Sequence, residues 1–118
     1  MTFSAGLDAL CALPSLSLAQ YPSPIEPLSR LGAALGAAPR LLVKRDDALS
    51  FGFGGNKVRK IEMLAARALD DDADVLITTG GVQSNHCRVT AAAAARLGMR
   101  CVIVANGERP PRATGNAL

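Results

Sequence analysis

The residues best suited to chemistry lie in a glycine-rich stretch at residues 51–60, which reads Phe-Gly-Phe-Gly-Gly-Asn-Lys-Val-Arg-Lys. Asn56 is a favoured N-cap residue and apolar positions follow it at helical spacing, so the loop is predicted to run straight into a helix. The first turn of that helix would carry Lys57, Arg59 and Lys60, although the positive end of the helix dipole disfavours each cation by roughly 0.3–1 kcal/mol. Three such cations indicate an anion site with a reactive lysine. The structural alternative is a flexible loop that leads into a basic, solvated helix start.

Lys57 is predicted to be the nucleophile of this stretch. Neighbouring cations and the positive end of a helix both favour the neutral form of an amine, and the neutral form attacks carbonyl carbons to give a Schiff base. Pyridoxal phosphate is the cofactor that uses a lysine in this way. Both its phosphate and the carboxylate of its substrates suit anion sites at helix N-termini. The residues alone therefore support the hypothesis of pyridoxal phosphate chemistry at Lys57.

The spacing of the glycines disfavours two other phosphate-binding motifs. A P-loop requires a Gly-Lys pair followed by Ser or Thr, whereas here Asn56 separates Gly55 from Lys57. The dinucleotide fingerprint G-x-G-x-x-G fails because its last glycine would fall at position 57, which is lysine. A nucleotide-binding module remains only as an outside alternative.

A hydrolytic serine with its own base is also disfavoured. Ser84 and the single histidine, His86, lie two positions apart, where helical residues do not face each other, and no orienting carboxylate is evident. Ser84 is instead predicted to cap a helix, with His86 pointing into the same crevice. A purely structural role for the histidine remains the alternative.

The elements that would position these residues alternate between strands and helices. Residues 41–44, 75–79 and 101–105 are apolar runs typical of strands, and the last two have the pattern of strands buried on both faces. The helix after the glycine loop connects the first two runs, and a helix from Ser84 to a stop at Gly98 connects the last two. This order predicts an α/β fold with an open parallel sheet, two right-handed crossovers and helices packed on the sheet.

Two glycine loops, residues 51–56 and 80–83, would then follow the carboxyl ends of strands. In open parallel sheets the ligand binds in the crevice beyond these ends. Two helix N-termini and Lys57 are therefore expected to converge on one ligand.

The composition bounds the class of protein. The chain has 118 residues, of which 49% are hydrophobic and 19% charged, as expected for one globular domain. An aromatic content of 3% disfavours the base-stacking surfaces of single-strand nucleic-acid binders. Cys11, Cys87 and Cys101 form no CxxC pair and leave an odd thiol, which favours a reducing, cytoplasmic location. No metal site is expected, since the acidic run at residues 70–74 is typical of a solvated turn.

The N-terminal region is expected to be structural. Short helices are predicted at residues 4–13 and 28–35, the second closed by Gly36, with a proline-rich extended stretch between them. A secretory signal is disfavoured because no Lys or Arg precedes Arg30 and Pro14 interrupts the apolar run. No apolar stretch reaches the roughly 20 residues of a membrane span, so no membrane partner is expected.

Four segments together resemble a known enzyme family. They are residues 21–25 (Tyr-Pro-Ser-Pro-Ile), 44–47 (Lys-Arg-Asp-Asp), 53–60 (Phe-Gly-Gly-Asn-Lys-Val-Arg-Lys) and 80–88 (Gly-Gly-Val-Gln-Ser-Asn-His-Cys-Arg). They resemble the D-cysteine desulfhydrase and 1-aminocyclopropane-1-carboxylate (ACC) deaminase family, which belongs to the tryptophan-synthase-β-like, fold-type II pyridoxal phosphate enzymes. The resemblance covers residues 21–118 and implies the fold of that group.

The resemblance also implies a role for each matching residue. Lys57 matches the lysine that forms a Schiff base with pyridoxal phosphate and moves the substrate α-proton, and Lys60 matches a residue near the cofactor phosphate. Asn85 matches the asparagine that hydrogen-bonds the phenolic oxygen of the cofactor and borders the substrate. Ser84 matches the position that binds the substrate carboxylate and assists proton transfer. His86, at the substrate, is similar to the desulfhydrase branch, whereas the deaminase branch tends to have glutamine there.

The implied function is that of a pyridoxal phosphate-dependent lyase acting on a small amino acid, converting D-cysteine to pyruvate, ammonia and hydrogen sulfide. The alternative is ACC deaminase, which opens a cyclopropane ring to give a 2-oxo acid and ammonia. The resembling enzymes are homodimers that continue well beyond Leu118. Residues 21–118 are therefore expected to be the N-terminal portion of the enzyme domain, incomplete at its C-terminus, after an extension at residues 1–20. An alternative of another class is a non-catalytic remnant that needs a partner chain.

Overall fold

The structure, a computed structural model, describes residues 3–36 and 40–117. Its helices and strands, in chain order, are α1 (Phe3–Cys11), β1 (Ile25–Pro27), α2 (Ser29–Ala34), β2 (Leu42–Lys44), α3 (Lys57–Asp70), β3 (Val75–Gly81), α4 (Asn85–Leu97) and β4 (Arg100–Asn106), with 3-10 helices at Asp46–Ala48 and Gly115–Ala117. The two short helices predicted upstream correspond to α1 and α2, and Gly36 follows α2 with a φ of 66°. Within the described ranges, none of the helices has the length and apolar character needed to cross a lipid bilayer.

A pair of parallel strands forms the part of the fold that the two long apolar runs predict. β3 pairs with β4 in register from Val75 opposite Arg100 to Gly81 opposite Asn106. α4 connects the two strands and packs against both. Gly98 ends α4 as predicted, since its φ of 73° lets the chain turn back into β4. The α/β class and the parallel arrangement of these strands are confirmed.

The strand predicted at residues 41–44 does not join this sheet, so that part of the prediction is wrong. β2 pairs antiparallel with β1, with Ile25 opposite Lys44 and Pro27 opposite Leu42. The described residues therefore contain one parallel crossover rather than two. The prolines before and within β1 hold that stretch extended, and an extended neighbour satisfies the backbone of β2 locally. The result is a second, two-stranded sheet that leads into the glycine loop.

One face of the parallel pair is open, which corrects the expectation of strands buried on both faces. Ile77 is 70% exposed and Val104 is 55% exposed. α4 covers the other face, and α3 packs on α4. The apolar pattern of the two runs therefore predicts the strands correctly but not their burial.

The core lies between α3 and α4 and includes part of the segment that precedes β1. Val58 and Val89 are fully buried, and Ile61 is almost so. The small side chains among the core residues let the two helices approach closely. The core cluster consists of Ala19, Leu49, Val58, Ile61, Val89 and Ala93. The apolar face of α3 is thus fixed in the core, and its first turn is left to make polar contacts.

Candidate functional site

The glycine loop has a backbone conformation that residues other than glycine rarely adopt. Residues 52–55 all have positive φ, between 54° and 101°. A Cβ atom at Gly54 would lie 2.3 Å from the carbonyl oxygen of Asp47, so the loop passes directly against the 3-10 helix. The Gly54 N–H donates to Phe51 O at 2.9 Å, and the Gly55 N–H donates to Asp46 O at 2.7 Å. These two amides are therefore engaged within the protein and do not form the anion cradle expected of this loop.

Asn56 precedes α3 as predicted, but its side chain does not cap the helix. Its backbone is helical, with φ of −60° and ψ of −15°, whereas a capping residue needs extended backbone to direct its oxygen at the next amides. The Asn56 Oδ1 atom instead accepts from Lys57 Nζ at 3.1 Å and from Asn85 Nδ2 at 3.4 Å. This oxygen joins the first turns of α3 and α4. It brings together the lysine and the asparagine that the sequence singles out.

The N-terminus of α4 is built as the sequence predicts. Ser84 has extended backbone, and its Oγ accepts from Cys87 N at 3.3 Å, as an N-cap does. A Cβ at Gly80 would lie 2.8 Å from Ser84 Oγ, so a glycine is needed where β3 meets this turn. The amides of Asn85 and His86 have no acceptor among the described residues. Free amides at a helix N-terminus, beside a hydroxyl that can still donate its proton, bind a carboxylate or phosphate well.

The two other predicted site residues are near this region in sequence but are not hydrogen-bonded into it. Lys60 is exposed on the first turn of α3, and His86 is half-buried on the first turn of α4. The backbone oxygen of His86 accepts from Thr90 Oγ1 at 2.9 Å. Within the described ranges, neither the Lys60 ammonium nor the His86 ring has a hydrogen-bond or ion-pair partner, so both remain available to a ligand.

Arg59, the third cation of the first turn, has a structural partner that explains its place. Its Nε and Nη2 atoms donate to the two carboxylate oxygens of Asp46 at 3.0 and 2.8 Å, and Nη2 also donates to Ser23 Oγ at 3.1 Å. The guanidinium carbon lies 4.8 Å from the centre of the Tyr21 ring. Hydrogen bonding to Arg59 is the main reason that the pKa of Asp46 is lowered to about 2. Arg59 is therefore an anchor of α3, and only the two lysines are left as candidate ligand-binding cations of this turn.

Glu62 is an important residue that the sequence analysis misses. It is 5% exposed, and its Oε1 accepts from the backbone amides of Leu18 and Ala19 at 2.8 and 3.1 Å. Its Oε2 accepts from the Tyr21 hydroxyl at 2.7 Å. Burial, and next the hydrogen bond to Glu62, raise the pKa of Tyr21 to about 12. The helical spacing could have revealed this residue, because position 62 falls on the buried face of α3 together with Val58 and Ile61. A carboxylate on a buried face needs hydrogen-bond donors around it.

A cavity of about 620 Å³ lies beside α4 and is lined by residues of the glycine loop, of α4 and β4, and of the segment that follows β4. Its lining includes Phe53 from the glycine loop and Arg88 from α4, but neither Lys57 nor Asn85. Arg88 donates from Nη2 to Gly54 O and from Nη1 to Asn116 Oδ1, both at 2.6 Å. Arg88 thus links the glycine loop to the 3-10 helix at Gly115–Ala117. It is a second anchor of the site that the sequence analysis does not predict.

Comparisons with known proteins point to one family. A family model described as "Pyridoxal-phosphate dependent enzyme" matches residues 16–116. Over 96 residues the chain is 51% identical to a D-cysteine desulfhydrase of Klebsiella pneumoniae subsp. pneumoniae, which covers 81% of this chain and 29% of that protein. A D-cysteine desulfhydrase of Salmonella paratyphi B is 50% identical over the same length, with the same coverage.

The fold is also similar to that of a solved structure. The crystal structure of an ACC deaminase homologue superposes with a TM-score of 0.83 at 39% sequence identity, covering 94% of this chain and 33% of that one. The chain spans 29% of the length of the curated relatives named above. The similarity therefore extends over nearly all of this chain but over less than a third of those relatives.

Proposed function

The chain belongs to the pyridoxal-phosphate dependent enzyme family, and we propose that it carries the cofactor-binding lysine, Lys57, of a lyase that acts on a small amino acid. The observation that carries this proposal is the shared acceptor between the two helices. Asn56 Oδ1 accepts from Lys57 Nζ at 3.1 Å and from Asn85 Nδ2 at 3.4 Å. A candidate nucleophile and a candidate donor to the cofactor ring are thus held at one point by a neutral group.

The side chains around Lys57 fit a pyridoxal phosphate group. The lysine amine donates a hydrogen bond to an amide oxygen, and among the described residues it has no carboxylate partner. Asn85 Nδ2 provides a donor beside it for the phenolic oxygen of the cofactor. Lys60 provides a positive charge on the same helical turn for the phosphate. We therefore assign Lys57, Lys60 and Asn85 to cofactor binding as a proposal.

The first turn of α4 is the proposed substrate site. The free amides of Asn85 and His86, together with the Ser84 hydroxyl, offer donors to the α-carboxylate of an amino acid. Binding there would orient the substrate before any bond is broken, and orientation of the reacting groups lowers the barrier. The His86 ring, which has no partner among the described residues, can contact the substrate side chain.

The proposed chemistry is β-elimination with proton transfer by Lys57. Bound pyridoxal phosphate supplies an electron-accepting ring that stabilises negative charge at the α-carbon of an amino acid. The Lys57 Nζ atom would accept the α-proton as a general base. The Ser84 hydroxyl, on the facing helix, assists this proton transfer. D-cysteine and water are thereby converted to pyruvate, ammonia and hydrogen sulfide, with no oxidant or reductant required.

The names of the relatives and the residue at position 86 support D-cysteine as the substrate. The curated relatives that match at about half identity are D-cysteine desulfhydrases, and position 86 is histidine, as the resemblance implies for that branch. ACC deaminase chemistry is the second candidate, because the solved structure with the same fold is of an ACC deaminase homologue. His86→Gln is expected to shift the ratio of sulfide release from D-cysteine to 2-oxo acid formation from ACC toward the latter.

Location, assembly and domain limits are part of the same proposal. Cys11, Cys87 and Cys101 are free thiols, which supports the cytoplasm as the compartment. We propose that the complete enzyme is a homodimer and that residues 21–118 form the N-terminal portion of its catalytic domain after an extension at residues 1–20. Leu118 itself lies outside the described residues.

A direct assay tests the proposed function. Purified protein is incubated with pyridoxal phosphate and either D-cysteine or ACC, and sulfide, ammonia and 2-oxo acid are measured. Sulfide release from D-cysteine that disappears in Lys57→Ala but persists in Arg67→Ala, an exposed cation on the same helix, would support it. Activity on ACC alone would favour the second candidate. Sulfide release that survives Lys57→Ala would refute the role of this lysine.

A further inference from the structure

The Asp46 carboxylate lies where three parts of the chain meet. Both of its oxygens accept from Arg59 on the first turn of α3, and Oδ1 also accepts from Ser23 Oγ at 2.9 Å. The Lys44 ammonium donates to the backbone oxygen of Ser23, which adds a second link between β2 and the segment before β1. The Asp46 side chain is only 20% exposed, so this bidentate pair is shielded from water more than a typical surface ion pair.

The backbone of the same residue holds the glycine loop. The carbonyl oxygen of Asp46 accepts from the Gly55 N–H at 2.7 Å, one peptide before Asn56. The next carbonyl, of Asp47, lies against Gly54 so closely that a Cβ there would be at 2.3 Å. One short 3-10 helix therefore fixes both the loop that precedes Lys57 and, through a side chain, the helical turn that contains it.

We infer that Asp46 is a positioning residue for Lys57, acting through Arg59 on α3 and through its own carbonyl on the glycine loop. The lysine is one residue beyond Asn56 and two residues before Arg59, so it lies between the two points that Asp46 holds. A rotation of the first turn of α3 by about 60° would bring Lys60 to the angular position of Lys57, because the two residues are three positions apart on a helix with about 3.6 residues per turn. Asp46 opposes that rotation. This inference rests on the proposed function for its effect on cofactor binding, but not for its effect on the loop.

Asp47 provides a matched control on the same 3-10 helix. Its carboxylate pairs with Arg45, at 2.7 Å, and the side chain of Asp47 is 64% exposed. Asp47→Asn removes the same charge from the neighbouring position without touching α3. Arg59→Met removes the partner of Asp46 while it retains most of the side-chain length.

The test uses two measurements on the wild type, Asp46→Asn, Asp47→Asn, Arg59→Met and the Asp46→Asn/Arg59→Met double variant, at a temperature where circular dichroism shows each to be folded. The first is amide hydrogen exchange without cofactor. The Gly55 amide is expected to exchange about three- to tenfold faster in Asp46→Asn than in the wild type, and at the wild-type rate in Asp47→Asn. The size of the increase lies between the effect of losing an exposed ion pair and that of losing a shielded, charged hydrogen bond.

The second measurement is the distribution of pyridoxal phosphate trapped by borohydride between Lys57 and Lys60. The ratio of adduct on Lys57 to adduct on Lys60 is expected to fall by about three- to tenfold in Asp46→Asn and in Arg59→Met. In the double variant this ratio should fall no further than in either single variant, because both substitutions remove the same contact. Loss of stability alone would not change this ratio in folded protein.

The outcomes separate the two proposals. If the wild type traps no adduct on Lys57, the proposed function fails, and hydrogen exchange still decides whether Asp46 holds the loop. If the wild type traps adduct on Lys57 and Asp46→Asn matches Asp47→Asn in both ratio and exchange, the positioning role of Asp46 is wrong and the proposed function stands.

Discussion

Replacement of Glu62 by methionine is expected to destabilise the fold more than most single substitutions. Glu62 is 5% exposed, and its carboxylate accepts three hydrogen bonds, from the amides of Leu18 and Ala19 and from the Tyr21 hydroxyl. These contacts fasten the segment before β1 to the middle of α3. Methionine has a similar length and fills the space, but it accepts hydrogen bonds only weakly.

The magnitude follows from the donors that the substitution leaves without an acceptor. A buried donor that loses its partner costs about 1–3 kcal/mol. Ala19 is 6% exposed and its amide would bear the full cost. The Leu18 amide is only partly buried, and the hydroxyl of Tyr21, a residue that is 41% exposed, can turn to water. The free energy of unfolding is therefore expected to fall by about 2–4 kcal/mol.

Urea unfolding followed by circular dichroism measures this change. With a denaturant slope of about 2 kcal/mol per molar, typical of a small protein in urea, the midpoint should fall by roughly 1–2 M. Glu62→Gln keeps one acceptor oxygen for the two amides and should lose less than half as much. Glu26→Gln, whose carboxylate is 50% exposed and pairs with Arg45, should change stability by less than about 1 kcal/mol. A Glu62→Met variant within about 0.5 kcal/mol of the wild type would refute the reasoning.

Three further predictions follow from the geometry of the site. Gly54→Ala should lower the free energy of unfolding, measured by urea unfolding, by more than about 3 kcal/mol, because its Cβ would meet the Asp47 carbonyl at 2.3 Å. Gly81→Ala should be close to neutral in the same measurement, because no described atom lies within 4 Å of the new Cβ. Ser84→Ala should cost about 1 kcal/mol through loss of the N-cap, measured by urea unfolding, and Ser84→Asp should recover most of it. The pKa of Asp46, 3.8 when unpaired, is lowered to about 2, first by its hydrogen bond to Arg59 and further by its hydrogen bond from Ser23. Its contribution to stability is thus present above pH 3.8 and lost as pH falls toward about 2, and Asp46→Asn should flatten that part of the acid-unfolding curve.

The features that the sequence predicts correctly are those that depend on a few neighbouring residues. Ser84 caps α4 and Gly98 ends it because capping and left-handed backbone are decided within one helical turn. The paired strands β3 and β4 follow from long apolar runs joined by a helix, which leave few other topologies. The chemistry expected at Lys57 also depends on a local loop and helix start, and it stays a prediction.

The features that the sequence does not predict depend on contacts between distant residues. Arg59 pairs with Asp46, thirteen positions earlier, so the charge that looks misplaced on α3 is neutralised by another element. The Glu62 carboxylate accepts hydrogen bonds from the backbone amides of residues more than forty positions away. β2 pairs with β1 rather than β3 because an extended, proline-held neighbour is nearer than the sheet. Asparagine is a residue type that often caps helices, but the loop before Asn56 gives it a helical backbone, and its side chain contacts Lys57 instead.

The most direct test of the account is to trap the cofactor on the chain. The sequence contains three lysines, Lys44, Lys57 and Lys60, so a borohydride-reduced pyridoxal phosphate adduct can be assigned by peptide mass spectrometry. We expect one main adduct, on Lys57, that is lost in Lys57→Ala and retained in Lys44→Arg. Equal labelling of the three lysines and the amino terminus, unchanged by Lys57→Ala, would contradict it.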